Sequence, residues 1–178
     1  KLIGAPEGKR NRTRMPVDIA GDSIILGVHD VDVNDIPGGA KIFTHDRNKW
    51  EQTALLVPND QVEIEDGEKR GQAGFGFAVS ISGRAGRRSA DYAIVGAPGH
   101  DGVAKNAGAA YIYAASEKDW KQEAKLFASD AAEGDAFGHV VSIDGGRGFL
   151  QGTHIIDAVT PRLRELVVLE ADHAATRI

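Results

Sequence analysis

Apolar and small residues alternate from Phe75 to Ile81. Phe75, Phe77, Val79 and Ile81 fall on one side, and Gly76, Ala78 and Ser80 on the other. Period two predicts a strand, and its small side lets a neighbouring sheet approach closely. Tyr92-Ala93-Ile94-Val95-Gly96-Ala97 is apolar on both sides, which suits the middle of a stack. With 109–114 and 120–128 these stretches, 75–81 and 91–97, give four predicted strands, and glycines 96, 99, 102 and 108 bracket the turn between the second and third. A similar series near 17–20, 23–28, 40–44 and 49–57 predicts the same four strands earlier in the chain.

The two series are one repeat. Phe75-Gly76-Phe77-Ala78-Val79-Ser80-Ile81 returns as Phe137-Gly138-His139-Val140-Val141-Ser142-Ile143 at an offset of 62, and the same step backwards reaches Ile19. Gly38, Phe43, Trp50, Leu56 and Asp60 map onto Gly108, Tyr113, Trp120, Leu126 and Asp130 at an offset of 70. The difference of 8 is supplied by 61–74, because Asp60 to Phe75 is 15 steps and Asp130 to Phe137 only 7. One register with one loop insertion accounts for both offsets. Four antiparallel strands in 60–70 residues suggest a propeller blade. A lone blade cannot cover both of its faces, so stacked neighbours are required.

Length and composition sharpen this. A chain of 178 residues first suggests one ordinary domain. At about 62 residues per unit it predicts an all-β partial propeller of about three blades, where closed propellers have 4–8. A fragment, a decayed copy or one part of an assembly is therefore expected, and the start at Lys1 without methionine fits a mature form or a fragment. Several of the 22 glycines recur at equivalent positions of the repeat, Gly38 with Gly108 and Gly76 with Gly138 among them. Net charge is −5, which argues against nucleic acid bound through a general basic field. The local cluster Lys9, Arg10, Arg12 and Arg14 reads as a solvated segment. With no cysteine, disulfides and thiolate metal sites are excluded. No apolar run reaches the ~18–20 residues of a membrane helix, so no membrane insertion is expected.

Phe75-Gly76, followed by Val95-Gly96-Ala97-Pro98, resembles the FG-GAP repeat, which builds the seven-bladed propeller of integrin alpha chains and occurs in bacterial surface proteins. Gly108 to Tyr113, then Trp120 and Leu126, resemble the bacterial variety. The resemblance is closest over 75–136. Over 17–74, Thr13-Arg14 replaces Phe-Gly and Gly27-Val28-His29 replaces Gly-Ala-Pro; over 137–153, Gly152-Thr153 stands for Gly-Ala. It implies blades at about 13–74, 75–136 and a partial one at 137–153, a remnant of a preceding blade at 1–12, and a non-repeat tail at 154–178. It also implies an extracellular or cell-surface location and a non-enzymatic role in ligand recognition or adhesion. The partner would be a protein or glycan held by inter-strand loops, with neighbouring blades from missing chain or from other copies. A purely structural assembly module, or an accessory region of an exported hydrolase, is the alternative.

The family often places a calcium loop between strands one and two. Here 83–91 keeps only Asp91 as a carboxylate, with Gly83, Ala85 and Arg87 at ligand positions, so no calcium is expected there. Arg87 or Arg88 paired with Asp91 would take the cation's place. Asp30, Asp32 and Asn34 have 1-3-5 calcium-ligand spacing, but no glycine follows at position 6 and Lys41 stands at 12. A solvated acidic loop is the plainer reading, and no cofactor is expected. His29 with Asp30, and His100 with Asp101, open the same inter-strand loop in adjacent units. The loops 28–37 and 99–106 are thus the expected ligand rim, carried by His29, Asp30, Asp32, Asn34, Asp35, His100, Asp101 and Asn106. A pair of turn residues is the plainer reading. Trp50 and Trp120 open the fourth strands; packing between blades is the plainer reading and glycan stacking the sharper one. No nucleophile elbow, phosphate loop or paired carboxylate stands out, so no enzyme is expected. Asn11-Arg12-Thr13 is a sequon that matters only in a eukaryotic secreted protein. Thr160-Pro161 predicts the start of a short C-terminal helix, although 165–169 reads equally well as a strand.

Overall fold

The computed structural model describes residues 15–33, 36–60, 74–83, 90–116, 119–144, 147–151, 165–169 and 175–177. Among these the chain forms three four-stranded sheets and no helix. The first sheet runs in chain order through β1 (Val17–Ala20), β2 (Ser23–Val33), β3 (Ile36–Asp46) and β4 (Lys49–Leu56), all antiparallel. The second repeats this with β5 (Ala78–Ser82), β6 (Tyr92–Ala97), β7 (Ala109–Ala115) and β8 (Trp120–Leu126). The third contains β9 (Val140–Asp144), β10 (Arg147–Gln151), β11 (Glu165–Leu169) and β12 (Ala175–Arg177). The all-β architecture of propeller-type blades expected from the repeat is what the chain adopts.

Equivalent residues hold equivalent places. The β3–β4 ladder breaks register between Ile42 and Phe43, and the β7–β8 ladder between Ile112 and Tyr113, their partners at the 70-residue offset. A bulge adds local twist, so both sheets twist at the same point. The β3–β4 hairpin closes on Arg47 and Asn48, both at positive φ, the geometry that a two-residue turn between twisted strands requires.

Strand β6 explains how the sheets stack. Ala93, Val95 and Ala97 face the first sheet, in one core with Ile25, Ile42, Leu56 and Tyr111. Tyr92 and Ile94 face the third sheet, in a second core with Ile112, Leu126, Val141 and Ile143. All six residues of β6 are buried, so its apolar character on both sides is used in full. Burying one such large aliphatic side chain contributes about 1.5–3 kcal/mol. The first strands of the three sheets, β1, β5 and β9, pack in succession along one side of the stack.

Two expectations change. Phe75, Gly76 and Phe77 are not strand: they form a turn ahead of β5, with Phe77 N–H donating to Gly74 C=O at 2.9 Å. Gly76 sits at φ +89°, outside the range of a strand residue. Contact with the preceding sheet is the reason. A Cβ on Gly27 would lie 2.1 Å from Gly76 C=O, and one on Gly96 would lie 1.9 Å from Gly138 C=O. Each Phe-Gly turn therefore presses its backbone onto a glycine of the preceding sheet, and neither position admits a side chain.

The C-terminal helix is the other correction. Residues 165–169 form β11, paired in parallel with β10 so that Val167 lies opposite Phe149. The run Leu166-Val167-Val168-Leu169 has no polar side, and its β-branched valines fit a strand better than a helix. A parallel pair needs a connection of about a dozen residues, and β10 ends at Gln151 and β11 begins at Glu165, far enough apart in sequence. The third sheet thus takes its outer strands from beyond residue 153 and mixes both pairing directions. The segments 1–14, 61–73, 84–89 and 152–164 lie outside the described residues. The expected blade remnant, the sequon, the loop insertion, most of the family's calcium loop and Gly152-Thr153 fall there.

Candidate ligand-binding rim

The loop between β6 and β7 is fixed from below. His100 is buried, and its Nδ1 accepts the Gly102 N–H at 2.8 Å. Its Nε2 lies 2.8 Å from Lys125 Nζ. Its backbone C=O accepts Gly108 N–H at 3.0 Å, and Asp101 Oδ1 accepts Asn106 N–H at 2.7 Å. Asn106 has φ +51°, a conformation that asparagine tolerates better than most residues. The far side of the loop is tied to the approach to the third sheet. Gly134 N–H donates to Lys105 C=O at 3.0 Å, and Ala136 N–H to Asn106 C=O at 3.1 Å. Above this frame Asp101, Gly102, Val103, Lys105 and Asn106 are exposed, Val103 by 58%.

Lys125, on β8, is the post on which the loop leans. Its side chain is only 18% exposed and forms an ion pair and hydrogen bond with Asp60 of the preceding sheet's outgoing segment. Its ammonium lies 4.9 Å from the Phe127 ring centroid and 5.3 Å from that of Tyr111. A cation over aromatic faces is favoured electrostatically. Burial, and then the charge of Lys125, lower the His100 pKa to about 4. A neutral imidazole has one acceptor nitrogen, for which Gly102 N–H and the Lys125 ammonium compete; a protonated ring would satisfy neither.

A second tie crosses the same seam. Tyr113 Oη donates to Val57 C=O at 2.8 Å, and Asn59 N–H to Gln122 Oε1 at 3.0 Å. Between these bonds lies a cleft of about 450 Å³, lined by Leu55, Val57, Asn59, Tyr113, Trp120 and Lys121 among others. Trp120 packs against the core shared by the first two sheets, whereas Trp50, 39% exposed, lies against the His45 ring at 5.1 Å between centroids.

The residues expected on the rim take different places. His29 is buried at 6% exposure, on β2, and its ring lies 5.1 Å from Phe77, which in turn lies 4.6 Å from His139. His100 has other neighbours: Phe127, Tyr111 and Lys125. Asp30 and Asp32 lie on β2, of which only the backbone is described there, and Asn34 and Asp35 fall outside the described residues. The expected open loop over 28–37 is largely a hairpin arm, with Asp32 opposite Pro37 and Val33 opposite Ile36 beyond a bulge. Among the described residues no three His, Asp or Glu side chains gather as a cation site. Asp101 and Asn106 do meet, through the bond above. Lys125 and Asp60 escaped the sequence reading. Asp60 was visible as a repeat position, but its partner is 65 residues away on another sheet.

The repeat positions, the Phe-Gly turns and the stacked sheets agree with a family model: that of the FG-GAP repeat matches residues 50–113 and 120–152, more than half of the chain. The chain belongs to the FG-GAP repeat family. The matched FG-GAP segments include both Phe-Gly turns, Gly96-Ala97-Pro98 and the whole loop from 99 to 106. They begin only at β4, yet β1 to β3 complete a sheet of the same topology ahead of them. No curated protein matches the FG-GAP chain at a significant level.

Proposed function

We propose that this chain is a non-enzymatic ligand-recognition module of a secreted or cell-surface protein, binding a protein or glycan through the loop between β6 and β7. FG-GAP repeats are typically extracellular ligand-binding propeller modules and are generally non-catalytic. One observation carries the reading to this loop. Residues 99–106 are pinned by the bonds of His100, Asp101, Lys105 and Asn106, while Val103 stands out between Asp101 and Lys105. A pre-ordered loop loses little conformational entropy on binding. An exposed apolar tip flanked by one acid and one base suits a surface contact with a fixed register.

The test is binding of the purified chain to arrays of glycans and of immobilised extracellular proteins, with Val103→Asp, Lys105→Glu and a distant control, Glu51→Ala. The expected result is a ligand whose affinity falls at least tenfold in both loop variants and stays unchanged in the control. Equal binding by all three variants, or no ligand on either array, would overturn the proposal.

A further inference from the structure

We infer that the chain joins head to tail with a second copy of itself, the third sheet of one copy seating the first sheet of the next. The inference is independent of which loop binds a ligand. It rests on the same two positions seen three times. Val79 and Ile81 on β5 are 8% and 3% exposed, covered by the first sheet, and Val141 and Ile143 on β9 are 8% and 4% exposed, covered by the second. Their counterparts on β1, Val17 and Ile19, are 63% and 59% exposed. The face that buries an aliphatic pair inside the chain twice is thus presented a third time to the outside.

The opposite end carries the complementary surface. Ser80 and Ser82 on β5 are buried beneath the third sheet, and Ala78 packs against its core. Their counterparts on β9, Val140, Ser142 and Asp144, are exposed, Val140 by 47%. The polar link between sheets follows the same rule. Asp18 Oδ2 accepts Ile81 N–H at 2.9 Å, and Ser80 Oγ accepts Ile143 N–H at 3.2 Å. The next acceptor in the series is Ser142, and the donor that precedes Ile81 in the series is Ile19 N–H. In the chain that donor is turned onto Asp18 Oδ1 at 2.8 Å. One end therefore offers Ser142 as the acceptor beside the exposed Val140, and the other offers the aliphatic pair and its donor.

Such a contact is heterologous, which closes into a ring or runs on as a filament. The three sheets formed by the described residues of one copy, together with three from a second, make six, inside the range of 4–8 for closed propellers. A closed pair is the expected species.

The absence of cysteine from the chain allows a clean test. Ile19→Cys and Ser142→Cys are made separately, mixed and oxidised. Ser80→Cys with Ile143→Cys, the same pair inside one chain, serves as the geometric control. The expected result is a disulfide between one I19C and one S142C chain, with a solution mass about twice the 18.9 kDa of one chain. The double variant Val17→Asp, Ile19→Asp should return the mass to that of one chain while keeping the strand spectrum. A mass of one chain for the unmodified protein at tens of micromolar, or cross-links of I19C to I19C in place of the mixed pair, would overturn the inference.

Discussion

Ser80 Oγ donates to Asp18 Oδ2 at 2.7 Å, and the two residues, 62 positions apart, hold the same register in successive sheets. Ser80 hands the arrangement on by accepting Ile143 N–H. The repeat is thus connected by a side-chain relay that runs through the first strand of each sheet.

Removing Asp18 should show what that relay contributes. Asp18→Ala leaves Ile81 N–H and the buried Ser80 hydroxyl without their acceptor, a loss of about 1–3 kcal/mol. Ser80→Ala removes one donor and one acceptor and should cost less, because Asp18 keeps Ile81 N–H. Chemical denaturation of both variants checks the order.

Gly96 and Gly134 separate two kinds of glycine. A Cβ at Gly96 would lie 1.9 Å from Gly138 C=O, so Gly96→Ala forces the second and third sheets apart. Gly134 is at φ +87° with nothing within 4 Å of a Cβ, so Gly134→Ala meets only backbone strain, about 1–2 kcal/mol. The first variant should lose the cooperative transition of the third sheet, and the second should only shift it. Hydrogen exchange across 140–151 distinguishes the outcomes.

Two tyrosines make opposite predictions from similar burial. Tyr113 Oη donates to Val57 C=O across the seam, and Tyr113→Phe should cost about 0.5–1.5 kcal/mol. Tyr111 Oη is buried without a hydrogen-bond partner among the described residues. Tyr111→Phe should therefore be neutral or stabilising. Both hydroxyls resist ionisation, because burial raises their pKa values above the usual tyrosine range. Thermal melts of the pair check the contrast.

His100 should make stability depend on pH in a defined window. Its pKa falls from 6.5 to about 4 on folding, so the unfolded chain binds the proton first. Its contribution is whole above pH 6.5, declines as the pH falls towards 4, and changes little below that. His100→Asn keeps an acceptor near Gly102 N–H but does not titrate. Stability curves of the two proteins should converge as the pH drops from 7 to 5; parallel curves would show that His100 is not the group responsible.

The sequence by itself determined the repeat, the strand type and most strand positions. Alternation at Val79 and Ile81, the two-sided apolar run of β6 and the paired offsets of 62 and 70 are local or periodic signals. Such signals survive without knowledge of partners. The Phe-Gly turn was misread as strand because alternation continues through Phe75 and Phe77, while the positive φ of Gly76 comes from contact with another sheet. The tail was ambiguous for a related reason: a short apolar run such as 165–169 becomes strand or helix according to what it pairs with, and here β10 decides. Lys125, Asp60 and the buried setting of His100 were legible only in three dimensions, since a cross-sheet pair has no fixed spacing in sequence. The same holds for the exposed Val17 and Ile19. Their residue types match Val79 and Ile81, and only the stacking shows which of these pairs is covered.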